Sequence, residues 1–508
     1  MTLLRESLLY HILLTLWTSY ENSAIHRFAM GLGGWFVRQT KESRLLRPLL
    51  REGAVARAWE TSLLYRLLTF LINLPGELLH ALYRRFRPVF ETSVFSRAVF
   101  TLGETTALTQ FWLIALMWSI PFASWNNAYS LLAFAFLLVL FHAGAMRRKE
   151  LRLDLAAIGF YPLAIFGAAF VAAAVSYAPN QSLRFLGFHA SAALCVLVTV
   201  SAVRNQGDLK RLAAGAAVCV TTSSLYAILQ RAQGLEVNRS FVDLSSNPDM
   251  PGRVFSFFDN PNTFAEVLIL LLPLVLALIL GSKSWLGKLA ACCAFGVGVV
   301  ALGMTYSRAS WLGFAVALVV MILLWKPRLL PAFLVVCCLA IPLLPSTIWT
   351  RILSITNMSD TTTSSRFPLY MAALEVIRKS PFAGAGLGVD AVKSYIADYN
   401  LYHGTAPFVH AHNFYLQVWL EAGLLGIVSL VAALLWNIKR AARAARHTQT
   451  PAVRAVTCGA AAALCGIMVS GMADYPWNYP RVMCIFWFTF AVALAGVKLS
   501  RQTEEKTP

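Results

Sequence analysis

The chain alternates long apolar runs with short polar stretches. The runs cover about 106–124, 127–146, 155–178, 185–203, 212–230, 263–281, 289–306, 310–325, 329–345, 413–437, 455–472 and 482–498. Roughly 20 apolar residues are what an α-helix needs to cross a hydrocarbon core, so the pattern predicts an all-α fold, a polytopic transmembrane helix bundle of about 12 spans. Two polar excursions interrupt it, near 231–262 and near 345–412. The second, about 65 residues long, is expected to carry short helices and to hold function, since loops of that length in a compact domain usually do.

Composition agrees with a membrane protein: of 508 residues, 58% are hydrophobic and only 13% charged. A formal charge of +19 raises the question of a nucleic-acid partner. The basic residues, however, sit in short clusters between apolar runs, which orients a membrane protein and does not build a groove for a polyanion. With the N-terminus inside, the loops that must be cytoplasmic carry Arg147-Arg148-Lys149, Arg204 with Lys210-Arg211, Lys283 with Lys288, Lys326 with Arg328, and Lys439-Arg440 with Arg443 and Arg446. The C-terminal tail adds Lys498, Arg501 and Lys506. Both termini are therefore expected in the cytoplasm and both long excursions outside it. All nine cysteines lie in apolar segments, which excludes a secreted disulfide scaffold.

Residues 1–105 read differently from the 106–508 membrane domain. Arg27, Arg38, Arg57, Arg66, Arg84, Arg85 and Arg87, with Arg5, Lys41, Arg44, Arg47, Arg51 and Arg97, are interleaved with Leu, Trp, Tyr and Phe. That interleaving predicts basic amphipathic helices in the cytoplasm or on the anionic membrane surface.

Four patterns collect on the expected outer side. The first is Arg253 followed by Asn260-Pro261-Asn262, a turn leading into a span, where Asn262 or Thr263 is placed to cap the helix. The second is Ser307-Arg308-Ala309-Ser310, an arginine at a span end on the side where positive charge is disfavoured. The third is Arg366, an amphipathic stretch, and Pro381-Phe382-Ala383-Gly384-Ala385-Gly386-Leu387-Gly388, a glycine run without the setting or spacing of a dinucleotide fingerprint. The fourth is His410-Ala411-His412-Asn413, running on to Glu421, Gly423 and Gly426. Two histidines with no third His or Cys nearby and no HExxH spacing do not make a zinc site. An imidazole at the mouth of a helix, titrating near neutrality, suits a proton acceptor or a hydrogen-bond orienter.

On these residues, the chain from about Asn205 to Leu499 resembles the O-antigen ligase and O-antigen polymerase superfamily of bacterial polytopic membrane glycosyltransferases. The ligase signature (His, then Asn, Ser or Gln, nine residues, Gly, two residues, and Gly, Thr or Tyr) is met by His412-Asn413, Gly423 and Gly426. The resemblance implies a glycan donor linked to undecaprenyl diphosphate. The acceptor it implies is a hydroxyl on a lipid, a wall polymer, a protein or another glycan. His412 would assist attack on the anomeric carbon as base or orienter, with His410 the second choice. Arg253 and Arg308, then Arg366, would meet the departing diphosphate, because guanidinium forks pair with phosphate oxygens at any working pH. Asn260, Asn262, Asn413 and Asp474 are supporting candidates, Asp474 either orienting a histidine or the acceptor, or capping a helix. The expected reaction inverts the anomeric centre and uses no metal and no cofactor. The ligase signature favours a ligase over a polysaccharide polymerase. A rival from another class is a lipid-linked glycan flippase or transporter, which also has about twelve spans. Its buried midplane charges are nearly missing here, Glu266 near a helix start being an exception. Membrane lipids are the remaining expected partner, and nucleic acid is not one.

Overall fold

Each predicted apolar run coincides with a helix in the computed structural model, which describes residues 8–42, 54–94, 106–122, 126–234, 251–340, 342, 345–348, 366–404 and 407–504. Among the described residues there is no strand. Among the same residues, nine helices are long and apolar enough to cross a membrane: Ala128–Ala145, Pro179–Ala202, Gln206–Ala232, Pro261–Gly281, Trp285–Met304, Arg308–Trp325, Phe414–His447, Pro451–Ser470 and Pro480–Gln502. Ala107–Ser119, Phe160–Ala174 and Pro327–Ala340 are shorter and account for the remaining runs. The protein is thus an all-α polytopic bundle.

The Pro451–Ser470 helix is the hub, packed against the helices that start at Pro261, Arg308, Phe414 and Pro480. Its small residues explain why. A methyl group on Gly459 would lie 2.5 Å from the Pro273 carbonyl, and one on Gly466 would lie 2.7 Å from the Gly313 carbonyl. Lipid offers helices no hydrophobic drive to associate, so close backbone approach at small residues is what holds such bundles together. The Pro480 helix runs through the interior, with Phe486, Trp487 and Phe490 fully buried.

Before the bundle, helices at Leu8–Glu21, Ala24–Glu42, Ala54–Thr61, Leu63–Arg85 and Arg87–Thr92 occupy the basic region. The Leu63–Arg85 helix is docked on the membrane domain: Asn73 exchanges two hydrogen bonds with the Leu153 backbone, and a His80 ring nitrogen lies 3.0 Å from the Met146 carbonyl. Of the basic residues of this region, Arg5, Arg44, Arg47, Arg51 and Arg97 lie outside the described residues.

The second long excursion contains the helices Arg366–Lys379 and Val389–Asp398 over a small core of Ala373, Val376, Ala385, Val392, Ile396, Ala411 and Leu420. Ser182 Oγ donates to the Leu387 carbonyl and Tyr177 OH to Asp398 Oδ2, which ties this subassembly to the bundle. Half of the first excursion, 235–250, and residues 349–365 near the start of the second lie outside the described residues.

Candidate active site

Three spans begin at the same end of the hub helix. Gly313, just inside the Arg308 helix, approaches Gly466 and Ser470; Ile269 of the Pro261 helix approaches Gly466; and the Phe414 amide donates to the Gly471 carbonyl at 2.7 Å. The N-termini carrying Asn260, Ser307-Arg308 and Asn413 therefore surround the turn at 471–479, which contains Asp474. The free amides and positive dipole ends of helix N-termini favour anions.

Local chemistry sets each start. Asn260, and not Asn262 or Thr263 as the sequence suggests, caps the Pro261 helix by accepting from the Asn262 amide. The proline at the first helical position moves the cap one step back, since it has no amide of its own to satisfy. Asn262 is thereby free to accept from the Arg253 guanidinium, whose Nε donates to the Thr305 carbonyl at 2.6 Å. Arg253, 7% exposed, is thus placed beside the Thr305–Ser307 turn that leads into Arg308. Asn413 caps its helix by accepting from the Tyr415 and Leu416 amides, and its Nδ2 donates to the Met472 carbonyl.

His412 Nδ1 lies 3.4 Å from Asp474 Oδ1, and the His410 and His412 rings are 4.0 Å apart. The side chain of His412 is 32% exposed, while His410 is buried. The His412 amide donates to His410 Nδ1 at 3.0 Å, which makes that nitrogen an acceptor and leaves the His410 proton on Nε2. The carboxylate next to His412 Nδ1 conversely favours a proton there and leaves His412 Nε2 with its lone pair. Burial, with the His412, Lys393 and Arg366 charges outweighing Asp474, pushes His410 down to about 3. Burial would raise Asp474, but His412 as hydrogen-bond and charge partner, helped by His410 and Arg366, holds it well below the usual carboxylate range. The Arg366 guanidinium is thus within electrostatic reach of both.

His410, His412 and Asp474 bring three ligating atoms within 4.8 Å of one another. With His410 Nδ1 engaged by a backbone amide, two donors remain, fewer than the three protein ligands of a catalytic zinc site.

Backbone strain marks the same places. Of the five non-glycine residues with positive φ among those described, Ser256 (55°), Asp259 (25°), Tyr306 (52°) and His412 (44°) lie in or beside these motifs. Such strain persists only where surrounding structure imposes it.

Several contributors are silent in the sequence. Glu421, buried in the Phe414 helix, accepts from Gln417 Nε2 (2.9 Å), the Tyr475 hydroxyl (2.8 Å) and the Gly388 amide (3.0 Å), and Gln417 Oε1 in turn accepts from the Ala411 amide. This network fastens the glycine run, the histidine loop and the 471–479 turn to one another. Burial and Glu421 raise the Tyr475 phenol well above its ordinary value, which keeps it the donor. Tyr479 is within electrostatic reach of Asn260, and Arg481 donates to the Phe257 and Pro121 carbonyls and pairs with Asp259 at 3.2 Å, so the first excursion meets the end of the turn. Glu266 is buried one helical turn below Asn262 and within electrostatic reach of Asp474. Apart from Glu266, which stands out in the sequence near a helix start, no local pattern assigns these residues a role, because their partners are distant in the chain.

The glycine run has a packing explanation. The Phe414 helix breaks at Gly423 (φ 61°, ψ −162°), which frees the Leu420 carbonyl to accept from the Ala385 amide (2.7 Å) and the Leu424 amide to donate to the Pro381 carbonyl (2.9 Å). A methyl group on Gly423 would lie 2.0 Å from the Phe382 carbonyl, and one on Gly384 2.6 Å from that of Leu420. Only glycine fits where the two backbones cross.

The buried His410 has a consequence for acid sensitivity. Unfolded, it would protonate near 6.5; folded, only near 3. Between those values the unfolded state holds more protons, so stability falls as pH drops through that window, by about 2 kcal/mol from about pH 7 to 5. Melting temperatures of the purified protein across that range should decline, and His410→Asn, which keeps an acceptor for the His412 amide, should flatten the decline. An equal slope in both proteins would refute the assignment.

Comparison with known proteins bears on these residues. A comparison with curated proteins found no match. Residues 291–431 match the family model described as O-antigen ligase, a segment that contains Arg308, Arg366, His410, His412, Asn413, Gly423 and Gly426, whereas Arg253, Asn260, Asn262 and Asp474 lie outside it. The match covers residues 291–431 of a multi-pass helical bundle and supports the resemblance to the O-antigen ligase superfamily over that segment.

Proposed function

We propose that the protein transfers a glycan from undecaprenyl diphosphate to an acceptor hydroxyl at the outer face of a bacterial cytoplasmic membrane, as an inverting, metal-independent glycosyltransferase of the ligase type. The observation that carries this reading is the His412–Asp474 pair set among helix N-termini and arginines.

In this reading the acceptor oxygen attacks the anomeric carbon from the face opposite the diphosphate. The new C–O bond forms as the bond to the phosphate oxygen breaks, and the electron pair leaves with undecaprenyl diphosphate. The acceptor proton passes to His412 Nε2, and Asp474 stabilises the resulting imidazolium through Nδ1, as carboxylates do for catalytic histidines. Arg308, Arg253 and Arg366, with the helix N-termini, meet charge that grows on the leaving group, where fixed positive groups in a partly dehydrated site act most strongly. A single displacement gives inversion. Asn260, Asn262, Asn413 and His410 position these groups and do not touch the reacting atoms. The O-antigen ligase domain favours ligase and polymerase readings over a transporter.

Reconstitution tests this. Purified protein in liposomes, supplied with an undecaprenyl-diphosphate glycan, a chelator and separate lipid, wall-polymer, protein and glycan acceptors, is expected to extend a non-glycan acceptor without added metal. Extension of the donor glycan alone would make it a polymerase. Translocation without transfer would overturn the reading.

A further inference from the structure

Glu421 is buried inside the Phe414–His447 helix, and its carboxylate gathers donors from three parts of the chain. Oε1 accepts from Gln417 Nε2 and from the Tyr475 hydroxyl, and Oε2 accepts from the Gly388 amide. Gln417 passes the connection on. Its Oε1 accepts from the Ala411 amide at 2.9 Å, which fixes its amide group with the NH2 toward Glu421. Ala411 and Tyr475 are the chain neighbours of His412 and Asp474. One buried carboxylate therefore holds the backbone beside each member of the 3.4 Å pair.

Other bonds secure only part of that geometry. The Phe414 amide donates to the Gly471 carbonyl and Asn413 Nδ2 to the Met472 carbonyl, which ties the turn down before Asp474. The bond from Tyr475 to Glu421 ties it down after Asp474. On the histidine loop, His412 has a φ of 44°, a conformation that the surroundings must impose, and the bond from Ala411 to Gln417 restrains the residue just before it. An apolar side chain would serve a buried helix position without the cost of desolvating an acid, and three donors are what make this acid tolerable.

We infer that Glu421 is a positioning residue for glycan transfer, setting the alignment of His412 and Asp474 through Gln417 and Tyr475. The inference rests on the reading of that pair as the proton-handling groups.

Glutamine is the exacting substitution. It keeps the size of the side chain but puts an NH2 where one oxygen stood, facing either the Gly388 amide or the Gln417 NH2, donor against donor. Turning Gln417 over to relieve this brings its own NH2 against the Ala411 amide. No arrangement of the two amides satisfies every donor, so one segment must shift, and a shift of about 1 Å costs about 10²-fold in rate.

The test follows undecaprenyl diphosphate released from a labelled undecaprenyl-diphosphate glycan in liposomes with the acceptors named above. Glu421→Gln and Tyr475→Phe are each measured alone and combined with His412→Ala, whose residual rate is the baseline. Turnover of Glu421→Gln is expected to fall about 30–100-fold, with the donor KM within about 3-fold of the parent. Tyr475→Phe loses one hydroxyl, leaves Glu421 two donors, and should lose about 10-fold in turnover. On top of His412→Ala neither change should cost more, because a residue that acts by aligning His412 has nothing left to align. A purely structural role would lower melting temperature and act equally in both backgrounds. Where Glu421→Gln does not fold, Tyr475→Phe alone decides. With His412→Ala impaired, parent-like turnover of folded Tyr475→Phe, or an undiminished effect in the His412→Ala background, would overturn this inference alone. Parent-like turnover of His412→Ala would overturn the reading of the pair and the inference with it.

Discussion

Replacing His412 with alanine should lower glycan transfer about 10²–10⁴-fold, the usual contribution of a positioned acid or base, and so abolish detectable product in cells. The loss should fall on turnover and leave donor binding near that of the parent, because the imidazole handles a proton that moves only in the transition state. Folding should survive. The His412 side chain is one-third exposed, and among the described residues its ion-pair contact is with Asp474. The positive φ at this position is already borne by a non-glycine residue. Transfer of a labelled glycan in liposomes, with melting temperature and membrane insertion as controls, decides the matter. Activity within a few-fold of the parent in a well-folded variant would remove His412 from the mechanism.

Replacing Arg308 with alanine should cost about 10²–10³-fold, comparable to removing one preorganised charge-stabilising group. In the proposed reaction the guanidinium, unlike His412, would face a leaving group that is anionic before reaction and more so afterwards, so both donor affinity and turnover should drop. Arg308→Lys should recover part of the affinity and little of the turnover, since an ammonium supplies charge without the fork. Ser307 stands at this helix start, where its hydroxyl donates to the Ser310 hydroxyl, a bond that does not involve the Arg308 side chain. Wild-type product length and yield from Arg308→Ala would count against the diphosphate assignment and leave the fold untouched.

The glycines show how far local pattern reaches. Gly384, Gly386 and Gly388 look from sequence like a loop of unknown purpose, and Gly423 like one letter of a motif. In three dimensions Gly384 and Gly423 are halves of one crossing, each required because the other backbone is there. Glu421 is similar: in sequence a lone acid inside an apolar run, in the structure the acceptor that joins Gly388, Gln417 and Tyr475. At the Pro261 helix, reading outward from the apolar run puts the cap at Asn262 or Thr263, but a proline at the first position shifts it to Asn260 and hands Asn262 to Arg253.

The apolar runs, and with them the all-α membrane bundle, were determined by the sequence alone, because the length of an apolar stretch is a one-dimensional quantity and a bilayer tolerates few other solutions. The motif residues were legible for the same reason, each cluster being contiguous. Which of them meet was not. The pairing of His412 with Asp474 and the placing of Arg253 beside the Arg308 turn depend on how the small residues of one central helix let its neighbours approach. That is a property of surfaces in contact, and no single segment contains it.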